Sequence, residues 1–374
     1  MVAVSPFVPP SRPPLLKRLA EVVLAPEAFD FWASRLHPTW SWSRPLARIV
    51  ERRAESRDAC TLVLQPNRHW RGFLPGQHLN VSAEIDGARV TRSYSLSDAP
   101  RADGRIAITV KAIPGGKLGR HLCEVARVGD VLDLGQAFGD MTLPAKPDGA
   151  WLFLAAGSGI TPFMALLRAQ AAAGMPVPIT LAYWARSRDT QCFVDELRTL
   201  ASRHPNFTFA PLLTRDAEDA GVDDDLQRAR INPALLDAIC PDLATRRVFA
   251  CGPDGFVAAA RALAGARAKA FHAEAFTPPV RIAADAEDIG QVTLTLARSG
   301  RTLDVPRGVS LLSALEDAGL KPASGCRMGI CNTCACGKRA GVTRHLHTGD
   351  VEHEPVSALR LCTHSARTDL TLDL

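Results

Sequence analysis

Cys326 to Cys334 reads CRMGICNTC, and Cys362 follows as a single distant cysteine. The spacing C-x4-C-x2-C plus one remote Cys is the plant-type pattern for a [2Fe-2S] cluster, and it points to electron transfer. Each iron of such a cluster takes two thiolates, so a tight loop can present Cys326, Cys331 and Cys334 while a later strand returns with Cys362. The residues between and beside them, Gly325, Arg327, Met328, Gly329 and Ile330, suit a loop whose backbone passes close to sulfide and donates N–H groups to it, an approach that glycine permits. Zinc would call for paired C-x2-C modules or interleaved histidines, which the x4 interval does not supply. Cys336, just beyond Cys334, reads as a neighbour of the cluster rather than a ligand.

The ten cysteines in 374 residues, with no signal peptide expected, fit a reducing cytoplasm in which thiols are ligands or small buried groups. Cys60, Cys123, Cys192 and Cys240 read as isolated core fillers. A hydrophobic content of 47 % over this length allows two or three domains, each with its own core. The net charge of +5 is spread out, without the basic runs that would mark a nucleic-acid binder. The most apolar stretch, Trp151 to Leu167, is interrupted by Gly157, Gly159 and Pro162 and is too short to span a bilayer.

Along the chain the hydrophobic period changes several times. Residues 1–43 read as an N-terminal extension, with Leu15, Leu16, Leu19, Val22 and Val23 at helical spacing beside Arg12, Lys17 and Arg18. Such a basic amphipathic stripe can rest on a membrane surface or pack on the next domain. Residues 44–147 carry short strand-like runs, Thr61–Leu64, His78–Ala83, Arg89–Leu96, Arg105–Ile113 and Val131–Leu134, separated by Pro, Gly and Asp turns; this predicts an antiparallel β-barrel. Residues 148–277 alternate strand and helix and predict a parallel α/β sheet. A linker at 278–290 precedes residues 291–374, where Val292–Ala297 and Thr302–Val305 flank a hairpin signal and the cluster loop follows a short helix.

Four weaker signals precede the cysteines in a fixed order. Arg92-Ser93-Tyr94-Ser95 ends a barrel strand: arginine can fork onto a phosphate, tyrosine can lie on a flavin ring and serine can reach its N5 edge. Gly115-Gly116-Lys117-Leu118-Gly119 looks like a turn opening a helix whose backbone N–H groups favour a phosphate. Gly157-Ser158-Gly159-Ile160-Thr161-Pro162 follows one strand and starts a helix, with the glycines admitting a diphosphate, Thr161 as cap and Pro162 in the first turn. Cys251-Gly252-Pro253 ends the last parallel strand, where a nicotinamide can sit. Each is common in isolation; their order ahead of CRMGICNTC is not.

Together these motifs resemble the ferredoxin-NADP reductase superfamily, and specifically its members with a plant-type [2Fe-2S] domain of β-grasp fold fused at the C-terminus. The resemblance covers about residues 44–374. It implies an NAD(P)H-dependent oxidoreductase that passes electrons through FAD and the cluster to an oxygenase or a membrane fatty-acid desaturase, in the cytoplasm or at the inner face of the membrane. Arg92, Ser93, Tyr94, Ser95, Gly115, Gly116, Lys117 and Gly119 would hold the flavin. Gly157, Gly159, Thr161, Pro162, Cys251, Gly252 and Pro253 would hold the nicotinamide nucleotide. Tyr94, Ser95, Cys251 and Glu274 would set the geometry of hydride transfer, and Phe276 would shield the ring. Gly119 stands where FAD-type relatives usually have Ser or Thr, which keeps FMN as an alternative. Arg186, Ser187 and Arg188 sit where the adenosine 2' position falls and favour NADPH, with NADH as the alternative. A second class of function, a redox-sensing module that regulates a partner by binding, would use the same cluster without multiple turnover.

Overall fold

The computed structural model describes residues 26–214, 227–228, 230–276, 288–329 and 331–374. Strands β1 (Leu46–Ser56), β2 (Ala59–Pro66), β3 (His78–Ile85), β4 (Ala88–Ser95), β5 (Ile106–Lys111) and β6 (Val131–Leu134) form an antiparallel sheet in the order β4-β3-β6-β1-β2-β5. A bridge between Leu96 and Ile108 joins its two edges and closes the expected barrel. Ile49, Leu62, Leu64, Leu79, Leu96 and Ile108 fill the interior, each withdrawn from solvent. β1 escaped the strand pattern because its pairing with β2 shifts register between Ile49 and Glu51, which breaks the period-2 alternation.

Strands β7 (Ala150–Ala156), β8 (Ile179–Ala185), β9 (Phe207–Leu213), β10 (Gln227–Arg228), β11 (Arg246–Gly252) and β12 (Ala270–Ala275) are all parallel, in the order β10-β9-β8-β7-β11-β12. Alternate residues of β7 feed two apolar layers, Phe153 and Ala155 on one face and Leu152 and Leu154 on the other. Phe153 stacks on Phe163 of the helix Ile160–Ala172 at 4.8 Å, an arrangement that adds about 0.5–1.5 kcal/mol to plain area burial. The strand order reverses at β7, whose neighbours are β8 and β11, and a ligand crevice opens at such a switch point.

Strands β13 (Gln291–Leu296), β14 (Thr302–Pro306), β15 (Ala335–Ala340), β16 (Thr343–His345), β17 (Val351–Glu352), β18 (Val356–Arg360), β19 (His364–Ala366) and β20 (Leu370–Leu372) form a five-stranded sheet, β14-β13-β20-β15-β18, and a three-stranded one, β17-β16-β19. The hairpin expected around Arg298 to Arg301 joins β13 and β14, and β13 runs parallel to β20, as the β-grasp reading requires. The helix Leu311–Asp317 is capped by Ser310, whose Oγ accepts from the Ser313 N–H at 3.2 Å.

One reading is corrected here. Cys60 and Cys123 are not isolated fillers, since their Sγ atoms lie 3.0 Å apart. The Asp288 side chain, 1 % exposed, is ion-paired with Arg344, and Arg367 lies 3.8 Å away. Residues 278–287 and the apolar stripe from Leu15 to Val23 lie outside the described residues. A helix over Pro26–Leu36 precedes the barrel, and Asn67 Nδ2 donates to the Thr39 and Arg44 carbonyls to hold the connecting loop. No helix among the described residues is long and apolar enough to cross a membrane.

Candidate functional site

Two glycine motifs meet at the switch point between β7 and β11. A Cβ placed on Gly159 would lie 2.0 Å from the Cys251 carbonyl oxygen, and one on Gly252 would lie 3.0 Å from Ala156. The two turns therefore interlock through close backbone contact. Thr161 does not cap the helix. The helix starts at Ile160 with Gly159 at its N-cap, so Thr161 is already inside, and its hydroxyl donates to the Ser158 carbonyl at 2.9 Å. Pro162 lies in the first turn, where its missing N–H costs nothing.

A cavity of ≈ 760 Å³ opens over these turns, lined among others by Gly157, Ser158, Arg186, Arg230, Pro253 and Phe256. A smaller one of ≈ 190 Å³ is lined by Tyr94, Ser95, Ser93, Thr161, Glu274 and Phe276, with His78 and Met328 beside them. Lys111, Ile113, Ser158 and Pro253 belong to both walls, so the two spaces are neighbours that share a wall.

Not every expected residue reaches these walls. Arg188 lines a separate ≈ 570 Å³ cavity, and the Ser187 hydroxyl is used in its own turn, donating to Asp189 Oδ1 at 2.5 Å. Arg92 is exposed on β4, with Nη1 donating to the Thr91 carbonyl at 2.7 Å. Gly115, Gly116 and Lys117 form a turn that opens a helix of only four residues, Lys117–Arg120. Gly119 has little room for a larger residue: a Cβ there would sit 3.0 Å from the Lys111 carbonyl oxygen, which accounts for the absent hydroxyl. Cys251 is fully buried beneath the crossing and lines neither cavity, its thiol pushed well up by burial.

The smaller cavity suits a flavin ring. Ser95 Oγ and His78 Nε2 are buried without a hydrogen-bond partner among the described residues, and such atoms need a polar ligand edge to satisfy them. Tyr94 and Phe276 supply aromatic walls. His78 Nδ1 lies 3.8 Å from Glu274 Oε2. Burial pushes the His78 imidazole down to about 4. Burial, with Asp140 adding, pushes Glu274 up to about 7. At neutral pH the contact therefore joins a neutral ring to a carboxyl in mid-titration and is not a full ion pair.

The cluster loop meets this cavity edge-on. Met328 is one of its wall residues, and Asn80 of β3 binds both sides: Ser93 Oγ donates to Asn80 Oδ1 at 2.6 Å, and Asn80 Nδ2 donates to Thr333 Oγ1 at 3.2 Å. Gly325 fits beneath, its Cα so close that an added Cβ would be 2.8 Å from Cys331 Sγ. Arg327, Gly329 and Asn332 have φ of 59°, 75° and 53°, and these left-handed residues fold the loop inward. The Met328 and Cys331 N–H groups donate to Cys326 Sγ at 3.3 and 3.4 Å.

The four expected ligand thiols fall into two pairs. The hydrogen bond from Cys326 holds Cys331 down at about 4, and that from Cys362 holds Cys334 down at about 7. No three or more His, Cys, Asp or Glu among the described residues converge on a single metal ion. Two thiol pairs are what a two-iron cluster takes, one pair per iron. Cys336 sits on β15 with its thiol raised by burial to about 11, a neutral neighbour.

Sequence reasoning missed Asn80, Thr333, His78, Lys111 and Arg230. Of these Asn80, His78 and Lys111 lay on strands already expected, and nothing in their spacing singles them out.

A family model described as an oxidoreductase FAD-binding domain matches residues 46–142, one described as an oxidoreductase NAD-binding domain matches 153–262, and a 2Fe-2S iron-sulfur cluster binding domain matches 294–364. An NADPH oxidoreductase of Mycobacterium tuberculosis is 32 % identical over 96 % of this chain and 92 % of its own. The ferredoxin reductase component of a 3-ketosteroid-9-alpha-monooxygenase of the same species is 32 % identical over 88 % of this chain and 95 % of its own. The fold is similar to that of phthalate dioxygenase reductase, with a TM-score of 0.59 and 23 % identity over 88 % of this chain and 97 % of that one.

Proposed function

The chain belongs to the family of oxidoreductases that join an FAD-binding, an NAD-binding and a 2Fe-2S domain in that order, and on that premise we propose that it is the NADPH-dependent reductase component of an oxygenase system. It is an NAD(P)H-dependent reductase whose redox groups are FAD and a [2Fe-2S] cluster. The observation that carries the reading is the adjacency of the two cavities, which share four wall residues, with Met328 of the cluster loop in the wall of the second. Bound FAD supplies the conversion of a hydride into single electrons that nicotinamide and cluster cannot make between them.

The residues of the chain contribute placement. Interlocked Gly159 and Gly252 let a diphosphate lie on the backbone, and Ser158 and Pro253 sit in the wall that the nucleotide and flavin spaces share. Tyr94 and Phe276 would confine the ring, Ser95 and His78 would meet its polar edge, and Glu274 would close the wall. Cys326, Cys331, Cys334 and Cys362 would hold the cluster, and Asn80 ties the cluster loop at Thr333 to Ser93 of the flavin cavity. The test is an anaerobic titration of the holoprotein with NADPH and NADH, followed at flavin and cluster wavelengths, then catalytic reduction of cytochrome c. Rapid reduction of both centres with turnover is expected. A flavin that is reduced while the cluster stays oxidised, or a single turnover, would favour the sensing module.

The acceptor is read as an oxygenase because relatives covering most of the chain are named as reductase parts of monooxygenases. The membrane-bound alternative attaches to the helix Pro26–Leu36, which exposes Phe31, Trp32 and Leu36. Loss of vesicle binding on removing residues 1–40 would support it, and no binding by the full chain would end it.

NADPH is preferred because Arg186 and Arg230 both line the nucleotide cavity. Replacing Arg230 with alanine should raise KM for NADPH about thirtyfold, from ~2 kcal/mol of charge-assisted hydrogen bonding, while KM for NADH stays within about twofold. Equal rises for both coenzymes would show that Arg230 contacts something common to them.

Asn80→Ala should slow flavin-to-cluster transfer about fivefold in stopped flow, because ~1 kcal/mol of bridging hydrogen bonds no longer favours the docked loop. Flavin reduction by NADPH should be unchanged. Thr333→Val, which keeps the shape and loses the hydroxyl, should behave alike and add nothing in the double variant.

A further inference from the structure

We propose that Cys60 and Cys123 form a redox-labile dithiol site that closes to a disulfide under a hydroperoxide, and that closure fixes the segment carrying the Gly115-Gly116 turn against β2. The two residues are remote in sequence, yet their sulfurs are 3.0 Å apart, close to hydrogen-bonding contact. Cys60 faces Val110 across the β2–β5 ladder and is 3 % exposed. Cys123 lies in the tight turn His121–Val125 that continues the helix Lys117–Arg120, and its Sγ reaches the Val110 carbonyl at 3.3 Å. Both thiols thus crowd one point of β5, and bonding asks for a movement of only about 1 Å to reach the ~2.05 Å S–S length.

The roles of the two sulfurs are unequal. Cys123 is only half-buried and can be reached from solvent, whereas Cys60 cannot. Cys60 hydrogen-bonds to the Cys123 sulfur, and the Arg52 guanidinium, which donates to the Cys123 carbonyl, brings a positive charge close; both favour the Cys123 thiolate, against burial and the nearby Glu124. Cys192 and Cys240 differ: each faces an oxygen, Ser56 Oγ or Asp242 Oδ1, and burial raises each thiol to about 11.

The chemistry balances with a hydroperoxide as the oxidant. The Cys123 thiolate attacks the outer peroxide oxygen, the O–O bond breaks, and an alkoxide or hydroxide leaves and takes up a proton, which gives a sulfenic acid. The Cys60 thiol then attacks that sulfur, the S–S bond forms, and water departs with the thiol proton. Two electrons pass from the sulfurs to the peroxide. Tyr94 packs in the same layer as Cys123, so the staple stands behind the flavin seat. That consequence rests on the proposed role of Tyr94; disulfide formation does not.

The test treats reduced holoprotein with one equivalent of hydrogen peroxide, quenches with catalase, alkylates under denaturing conditions and maps the peptides. A Cys60–Cys123 cross-linked peptide, two hydrogens lighter and reversed by dithiothreitol, is expected to appear about tenfold faster than oxidation of Cys192, with cluster absorbance still intact. FAD release from the oxidised protein should be about threefold slower than from the reduced protein, an effect absent in Cys60→Ser. Full alkylation of both cysteines after the cluster has bleached would overturn the proposal. A disulfide without any change in FAD release would overturn its second half alone. Should Cys60→Ser not fold, the dithiothreitol-reversed wild type gives the same comparison.

Discussion

Gly159→Ala is expected to cut NADPH-driven flavin reduction by at least about a hundredfold, because the added methyl would sit 2.0 Å from the Cys251 carbonyl oxygen and 2.7 Å from the Gly252 nitrogen. No side-chain rotation can relieve contacts that are all with backbone. The turn after β7 would have to lift away from the end of β11, and both edges that receive the nucleotide would move together. Overpacking of this kind costs about 1–3 kcal/mol, so the domain should still fold with a lowered unfolding midpoint. Reduction of the flavin by dithionite, which needs no nucleotide site, should proceed as in wild type. A variant with near-normal KM and kcat for NADPH would mean that the crossing of the two turns is looser than described. Gly157→Ala offers a contrast: its φ of 55° makes alanine strained, but nothing lies within 4 Å of the added atom, so a smaller loss is expected.

Glu274→Gln should change how stability depends on pH, by up to about 3 kcal/mol between pH 4.5 and 7. The Glu274 carboxyl titrates at about 7 in the folded chain against an ordinary 4.5. The unfolded chain therefore releases this proton first, and the folded state loses stability as pH rises from 4.5 through 7, at ~1.4 kcal/mol per unit. His78 works in the opposite sense. Its folded value of about 4 lies below the ordinary 6.5, so its contribution is present above 6.5 and is lost as pH falls through 4. The two slopes nearly cancel between pH 4.5 and 6.5. Wild-type unfolding midpoints should be almost level there, and Glu274→Gln should uncover the His78 slope, with stability rising with pH. Asp140, which adds to the Glu274 shift, is the remaining acid facing the pair, and Asp140→Asn should move the Glu274 titration slightly downward. Denaturation of the full chain at four pH values checks this; parallel curves for wild type and Glu274→Gln would show that the carboxyl titrates normally.

Legibility in the sequence followed how local the physics is. CRMGICNTC could be read at once because three sulfurs, two sharp backbone reversals and close N–H donors are all supplied by nine adjacent residues. The barrel and the parallel sheet could be read from the period of their strands. β1 could not, since a bulge cancels the alternation, and β12 is a short run, AFHAEA, in which Phe271 is the one large apolar residue. Arg188 stood beside Arg186 in the sequence yet points to another cavity, because the turn at Ser187 sends consecutive side chains apart.

By itself the sequence determined the order of the three domains, the presence of a cluster-binding loop and the two glycine turns, all of which show in patterns of neighbouring residues. Only the tertiary structure decided where those parts face one another. It set Asn80 between Ser93 and Thr333, put Ser158 and Pro253 in the walls of both cavities, brought Cys60 against Cys123, and placed Glu274 beside His78. These contacts are fixed by strand pairing and packing within the barrel, as for Cys60 and Cys123, or by one domain packing on another, as for Glu274 and His78, and no local period or spacing encodes them.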